Sequence, residues 1–298
     1  LLVLHEYRHA FKDSFLLVDS GYTKGYKKTD SLKKSRGSRS HLFAKFNKGF
    51  SQLDYSSNLE INFQHVSNDT YLKVHDIQTE LADKDNNIIT KDINYEFQDD
   101  KNYLGISAAM YENLTARDSD KTRFEYSVPN ILFERNLFTG DYAGVFDVRS
   151  NAFVKNVKVN QTTKFWINDV NWQSNPFVSL NGIQNKFKGL FKVVNYEAEG
   201  AEKYKTEGLN SEVSGVIAYD AKFPLSKKNE AKKRINLLTP RVSIRYAPGH
   251  MRNLQDDDLK LSYSNAYSLN KNSQPDVIEK GESITAGFEI SNNDLSDG

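Results

Sequence analysis

The sequence predicts an all-β protein, an antiparallel up-and-down transmembrane β-barrel, present as about thirteen strands of a larger barrel. Three observations carry this expectation. Apolar and polar residues alternate with a period of two; the alternating runs keep lengths near the ~9 to 11 residues a tilted strand needs to cross a bilayer; and short connections take turns with long ones. In "NLEINFQHVS" (58–67), Leu59, Ile61 and Phe63 fall on one parity and Glu60, Asn62 and Gln64 on the other. A strand here has one oily face and one hydrophilic face. Alone, that pattern fits a soluble sheet, whose polar face meets bulk water, as well as a barrel wall, whose polar face meets a wet lumen.

Runs 2–11 and 14–23 are joined by the short segment 12–14, and runs 40–50 and 57–67 by 51–56. Run 86–97 sets Ile89, Ile93, Tyr95 and Phe97 opposite Thr90, Asp92, Asn94 and Glu96, and 98–101 leads into 101–111. Runs 121–134 and 141–154 flank 135–140, and runs 161–173 and 176–188 flank 173–175. In 209–225, Val213, Ile217, Tyr219 and Phe223 oppose Ser214, Asp220 and Lys222. Segment 227–234 leads into 234–247, where Leu238, Val242, Ile244 and Tyr246 oppose Thr239, Arg241, Ser243 and Arg245, and 281–291 is the last run. Between these pairs lie the longer polar segments 24–39, 68–85, 112–120, 155–160, 189–208 and 248–280. Short turns on one rim and long loops on the other is the asymmetry of outer-membrane barrels. Thirteen such runs with no helix or second apolar layer to cover them favour the membrane reading over the soluble one.

A lumen wall follows from the alternation. Glu60, Asn62, Gln64, Asp92, Asn94, Glu96, Arg241, Ser243 and Arg245 are expected on the concave, lumen-facing side, with Leu59, Ile61, Phe63, Ile93, Tyr95, Val242, Ile244 and Tyr246 on the convex side. A charged group facing lipid near the midplane costs on the order of 2 to 4 kcal/mol, so the opposite register is excluded. Aromatic pairs near run ends (Tyr7 and Phe11, Phe43 and Phe46, Tyr95 and Phe97, Trp166 and Trp172 among them) suit an interfacial girdle.

Composition removes several function classes. Hydrophobic residues make up 38% of the 298 residues, and 40 basic residues stand against 39 acidic ones. Net charge therefore gives no global case for nucleic acid, and none is expected as a partner. No run approaches the ~18 to 20 apolar residues of a membrane helix. Cysteine is absent, so no disulfide or thiolate metal site can be built from this stretch. The six histidines lack His-Glu-x-x-His spacing, and neither a phosphate loop nor a Gly-x-Ser-x-Gly elbow occurs. No catalytic residue, no metal and no cofactor is expected. Both ends read as cut, so the chain is expected to be a fragment.

Local features are sparse. "KGYKKTDSLKKSRGSRS" (24–40) carries Lys27, Lys28, Lys33, Lys34, Arg36 and Arg39 against one acid, and these cations are candidates for lipid-phosphate contact beside the plainer reading of a solvated loop. Asp256, Asp257 and Asp258 are adjacent, which spreads them around the backbone, so a solvated loop fits them better than one divalent ion. His5 and His9 share a parity with Tyr7 and Phe11 and read as a rim feature.

Five stretches carry a resemblance: "EYRHAFKDSFLLVDSGYTKG" (6–25), "SRSHLFAKF" (38–46), "VSNDTYLKVHDI" (66–77), "RFEYSVPN" (123–130) and "LLTPRVSIRYAPGHMRN" (237–253). In order and spacing the chain resembles the barrel region of the outer-membrane lipopolysaccharide-assembly family LptD (OstA), particularly its alphaproteobacterial members. The resemblance implies a barrel of about two dozen strands in the cell outer membrane, preceded by a periplasmic jellyroll. It implies lipopolysaccharide as cargo, the plug lipoprotein LptE in the lumen, and periplasmic bridge proteins as partners through the jellyroll. The implied activity is translocation and insertion of lipopolysaccharide into the outer leaflet through a laterally opening barrel, which needs no enzymatic residue here. The whole stretch 1–298 is then partial barrel. The family's jellyroll, closing strands and cysteines have no counterpart in it, and no gate residue is assigned. The alternatives are another large outer-membrane barrel, a substrate-specific porin or plug-gated receptor, and a soluble carbohydrate-binding β-sandwich.

Overall fold

A computed structural model describes residues 1–24, 38–116, 122–157, 161–201, 204–205, 208–229, 234–248, 261–272 and 274–294. Among the described residues the fold is all-β with one helical turn. In chain order the elements are β1 (Leu2–Ala10), β2 (Ser14–Thr23), β3 (Arg39–Ser51), β4 (Tyr55–Val66), α1 (Tyr71–Val74), β5 (Ile88–Asp99), β6 (Asn102–Asn113), β7 (Phe124–Gly140), β8 (Gly144–Val157), β9 (Thr162–Gln173), β10 (Phe177–Val178), β11 (Gln184–Glu199), β12 (Asn210–Lys222), β13 (Leu225–Asn229), β14 (Arg234–Ala247) and β15 (Gly281–Asp294). β10 and β13 are short additions to the expected thirteen runs. The other thirteen strands have nine to seventeen residues, well above the ~5 to 6 of an average strand.

The strands form one antiparallel sheet in sequence order from β1 to β9, continuing through β11, β12 and β14. β12 and β13 share one side of β14, and β15 pairs along its other side over Arg234↔Asp294 to Ala247↔Gly281. Among the described residues β1 and β15 have one neighbour each, so the sheet is unclosed. From β1 to β9 each strand neighbours the next in sequence and runs antiparallel to it, so successive connections there fall at opposite ends of the strands.

Several boundaries differ from the sequence expectation, β13 reaching into the expected connection 227–234 among them. The segment 135–140 is strand, and the turn falls at 141–143, where Gly144 takes a φ of +81° that L side chains rarely adopt. The run 176–188 is itself a hairpin. Ser179 N–H donates to Ile183 O at 2.9 Å and Gly182 N–H to Ser179 O at 2.9 Å, closing a turn on Asn181-Gly182 with Gly182 at φ +79°. The strand then continues through Glu199, across residues expected to begin a loop.

Contact clustering separates two units. The first comprises residues 1–133, 151–165 and 197–208, and the second 134–150, 166–196 and 209–298. In both, the polar face of the sheet is the covered one. In the first unit Ile61, Phe63 and Ile93 are 36%, 39% and 45% exposed, whereas Asp19 and His41 on the other face are buried. In the second, Val242, Ile244 and Tyr246 are all exposed, while the intervening Ser243 and Arg245 retain 4% and 3% of their surface. A soluble sheet turns its apolar parity inward. Here that arrangement is inverted, and a fully exposed Ile or Phe forgoes about 1.5–3 kcal/mol of burial in water.

Phe43 departs from the expected aromatic girdle. It pairs with Asp19 and Gln64, falls on the polar face, and is fully buried. Its neighbour Leu42 is exposed. Phe43→Ala should therefore lower the unfolding free energy by about 3–5 kcal/mol, and Leu42→Ala by under about 1 kcal/mol. Denaturant titration of both variants checks this, and equal losses would contradict the face assignment.

Candidate functional site

The polar face carries most of the buried charged side chains, and a folded-back connection covers part of it in each unit. In the first unit, segment 67–87 between β4 and β5 lies over the polar face of β2, β3 and β4. Its Tyr71, Leu72 and Ile77 join Phe43, Val66, Ile89 and Leu114 in one buried cluster. Beside this cluster His41 Nε2 lies 3.1 Å from Asp19 Oδ1, and His41 Nδ1 lies 3.3 Å from the Tyr71 hydroxyl. All three residues are buried. The set is satisfied when Nε2–H donates to the carboxylate and Nδ1 accepts the tyrosine O–H. Gly21 makes room for it, because a Cβ there would sit 2.5 Å from His41 Cε1. Burial, reinforced by the Asp19 carboxylate, raises the Tyr71 pKa above its ordinary value.

The loop's flank is held by charge. Arg123, just before β7, donates to Asp69 Oδ1 at 2.8 Å, to Glu112 Oε1 at 2.7 Å and to Ala116 O at 3.0 Å. Its hydrogen bond to Asp69 and that to Glu112 both stabilise the guanidinium, whose pKa is raised. At the exposed end of the segment, the bond from Lys84 to Asp76 lowers the Asp76 pKa and raises that of Lys84.

Six of the expected lumen residues form part of this surface. Asn62 donates to Glu60 at 2.8 Å and to Asp92 at 3.1 Å, and Asn94 donates to Asp92 at 2.5 Å, so four of them make one ladder across β4 and β5. Gln64 donates to Leu81 O at 2.5 Å and accepts from Thr90 N–H at 2.7 Å, tying the covering segment to the sheet. Glu96 is exposed near the hairpin end and accepts from the Tyr103 hydroxyl at 3.2 Å. Lys27, Lys28, Lys33, Lys34 and Arg36 lie outside the described residues, as do Asp256, Asp257 and Asp258. Arg39 opens β3 opposite Thr23.

The second unit repeats the design with different chemistry. Residues 261–272 and 274–280 cross the polar face of β11, β14 and β15. Arg245 donates to Leu269 O at 2.5 Å and also to Glu279 O, and Lys192 donates to Pro275 O at 2.6 Å while lying 2.7 Å from the Asp169 carboxylate. Thr285 donates to Ala266 O at 3.1 Å. The Arg241 guanidinium stacks 3.9 Å from the Tyr267 ring centroid. Tyr267 also explains Gly287, where a Cβ would lie 2.5 Å from its hydroxyl oxygen. Arg241 donates to Asp220 Oδ2 at 3.1 Å, and Lys188 pairs with the same oxygen. Ser243 is buried beside them.

Sequence reading missed His41, Tyr71, Arg123 and the cations of β11. His41 and Phe43 share a parity with Lys45, so the alternation there is mixed. Lys192 falls in a stretch with apolar residues on both parities, which masks the strand. Among the described residues no group of three His, Cys, Asp or Glu side chains converges as metal ligands would.

The hydroxyl proton of Tyr71 is needed for the bond to His41, and its raised pKa fixes the sign of a pH effect. The stabilisation is complete below the ordinary tyrosine value of 10.0 and is lost as pH rises through the higher folded value. Tyr71→Phe should remove this component of alkaline destabilisation at a cost near neutrality of about 1 kcal/mol. Denaturation midpoints of the two proteins from neutral to alkaline pH test it, and parallel profiles would contradict it. Compared with known proteins, the chain matches no family model and no curated protein.

Proposed function

We propose that this sheet is wall of a large outer-membrane β-barrel and that its polar face lines the route by which lipopolysaccharide reaches the outer leaflet. The observation that carries the barrel reading is the inverted polarity of the sheet. Long strands expose Ile, Val, Phe and Tyr on one face and hold Asp, Glu, Asn, Lys and Arg on the other. That is the arrangement expected of strands between lipid and a hydrated lumen. In this reading Glu60, Asn62, Gln64, Asp92, Asn94, Glu96, Arg241, Ser243 and Arg245 face the lumen.

Lipopolysaccharide as cargo rests on the resemblance of the five sequence stretches to the LptD family. Its chemistry suits the surface: a phosphorylated sugar head needs a polar conduit, while the acyl chains need a lateral route to lipid. The lipoprotein plug and the periplasmic bridge belong to the same reading. A second reading, a plug-gated receptor or porin, draws on segments 67–87 and 261–280, which occupy part of the polar face from within the chain itself.

Photo-crosslinking separates the two. A photoreactive side chain at Asn62, Asn94 or Ser243, in cells carrying the protein in the outer membrane, should give lipopolysaccharide adducts that vanish when supply from the inner membrane is blocked. Absence of such adducts at all three positions would contradict the cargo. Adducts insensitive to supply would contradict transport.

A further inference from the structure

A cavity of about 210 Å³ opens on the polar face of the second unit, between β11, β12 and β14, near the turn that carries Pro176. Its walls bring four cations, Lys186, Lys188, Lys222 and Arg241, to a single carboxylate, Asp220. Strand register builds the cluster. Lys186 pairs across with Asp220, and Lys222 pairs with Arg241, which places alternate residues of three strands on one face. Asp220 uses one oxygen, Oδ2, to hold both Lys188 and Arg241. Lys186 donates to the neutral Gln173 Oε1 at 2.7 Å, and Lys222 has no ion-pair partner among the described residues.

The cluster is thus neither neutralised nor saturated. A three-charge excess sits in a partly enclosed space, where water screens it less than on an open surface. Arg241 Nε is buried and has no hydrogen-bond acceptor, a costly state for a guanidinium donor. Stacking of Arg241 on Tyr267 and its bond to Asp220 fix the plane of the fork before any ligand arrives. A fixed arginine fork flanked by lysine ammoniums suits a multiply charged tetrahedral anion better than a carboxylate, whose single charge would leave most of the excess. The volume, about seven waters at ~30 Å³ each, leaves room for such a group and part of what it is attached to.

We propose that this cavity binds a phosphate group, with Arg241 and Lys188 as the fixed side of the site and Lys186 and Lys222 closing on the anion. The cavity argument stands on these residues alone. That the phosphate arrives on a glycolipid rests on the function proposed above, and free phosphate shares the same chemistry.

The test uses the intact chain in detergent micelles, with inorganic phosphate as one probe and a bis-phosphorylated glucosamine lipid as the other. Lys186→Gln and Lys222→Gln are combined, because both residues lie outside the Asp220 clamp and their loss leaves it intact. Isothermal titration should show saturable binding of at least one probe, weakened tenfold or more in the double variant, and weakened by salt. Far-UV circular dichroism of the variant should match the parent, so that lost binding is not lost folding. Tighter binding of the glycolipid than of inorganic phosphate supports the lipid source, and equal binding supports a soluble phosphate and removes the link to transport while leaving the site. Binding unchanged in the double variant, or no binding of either probe to the parent, would overturn the site.

Discussion

Everything in this structure depends on the two-residue period of the β-strand being occupied with its polarity reversed. Side chains at i and i+2 share a face, so a slip of one residue would carry a whole polar set to the other side. Across β4 and β5 such a slip would bring Glu60, Asn62, Asp92 and Asn94 outward together and break the ladder they form. Across β12 and β14 it would turn out Asp220, Ser243 and Arg245, which are among the most buried polar side chains of the described residues. The register is therefore pinned by where charge can go rather than by an apolar core between layers.

A polar face that is covered creates its own demand, since each buried donor or acceptor left alone costs about 1–3 kcal/mol. The two folded-back segments meet much of it. Backbone carbonyls of Leu81, Leu269, Pro275 and Glu279 accept from Gln64, Arg245 and Lys192, so the covering chain supplies acceptors where the sheet supplies donors. In the first unit a small apolar cluster around Phe43 and Tyr71 adds packing, and Arg123 bridges the segment to β6 through Asp69 and Glu112. In the second, the polar contacts of the covering segment are joined by the buried side chains of Val277 and Ile278. Around Asp220 this matching is incomplete, and there the unpartnered donor Arg241 Nε coincides with a cavity and an excess of cations.

Strand existence and face assignment were legible in the sequence because both are local: alternation over ten residues states which parity is apolar. The runs containing Ile61, Ile93 and Ile244 form strands whose apolar parity is the exposed one, as that alternation states. What resisted reading was non-local or mixed. Phe43 looks like a surface aromatic until its partners Asp19 and Gln64 are known, and His41 acquires meaning only when Tyr71, thirty residues away, is laid on it. The hairpin within 176–188 carries a signal, Asn181-Gly182, that is masked because Phe177, Val178, Leu180 and Ile183 around it read as part of one strand. The folding of 68–85 and of residues 261–272 back over the sheet leaves no trace in composition, because a loop that lends its carbonyls to arginine and lysine can be as polar as one that meets water.

The central claim is that the exposed apolar face contacts lipid and the charged face contacts water. Nitroxide labels placed one at a time at Ile61, Ile93, Val242 and Ile244, and at Asn62, Asn94 and Thr239, measure this directly in liposomes through collision with oxygen and with a water-soluble nickel chelate. The account predicts that oxygen dominates at all four positions of the first set and that the chelate, or neither reagent, dominates at the second. Chelate-dominated relaxation at two or more of the first set would place that face in water and contradict the barrel.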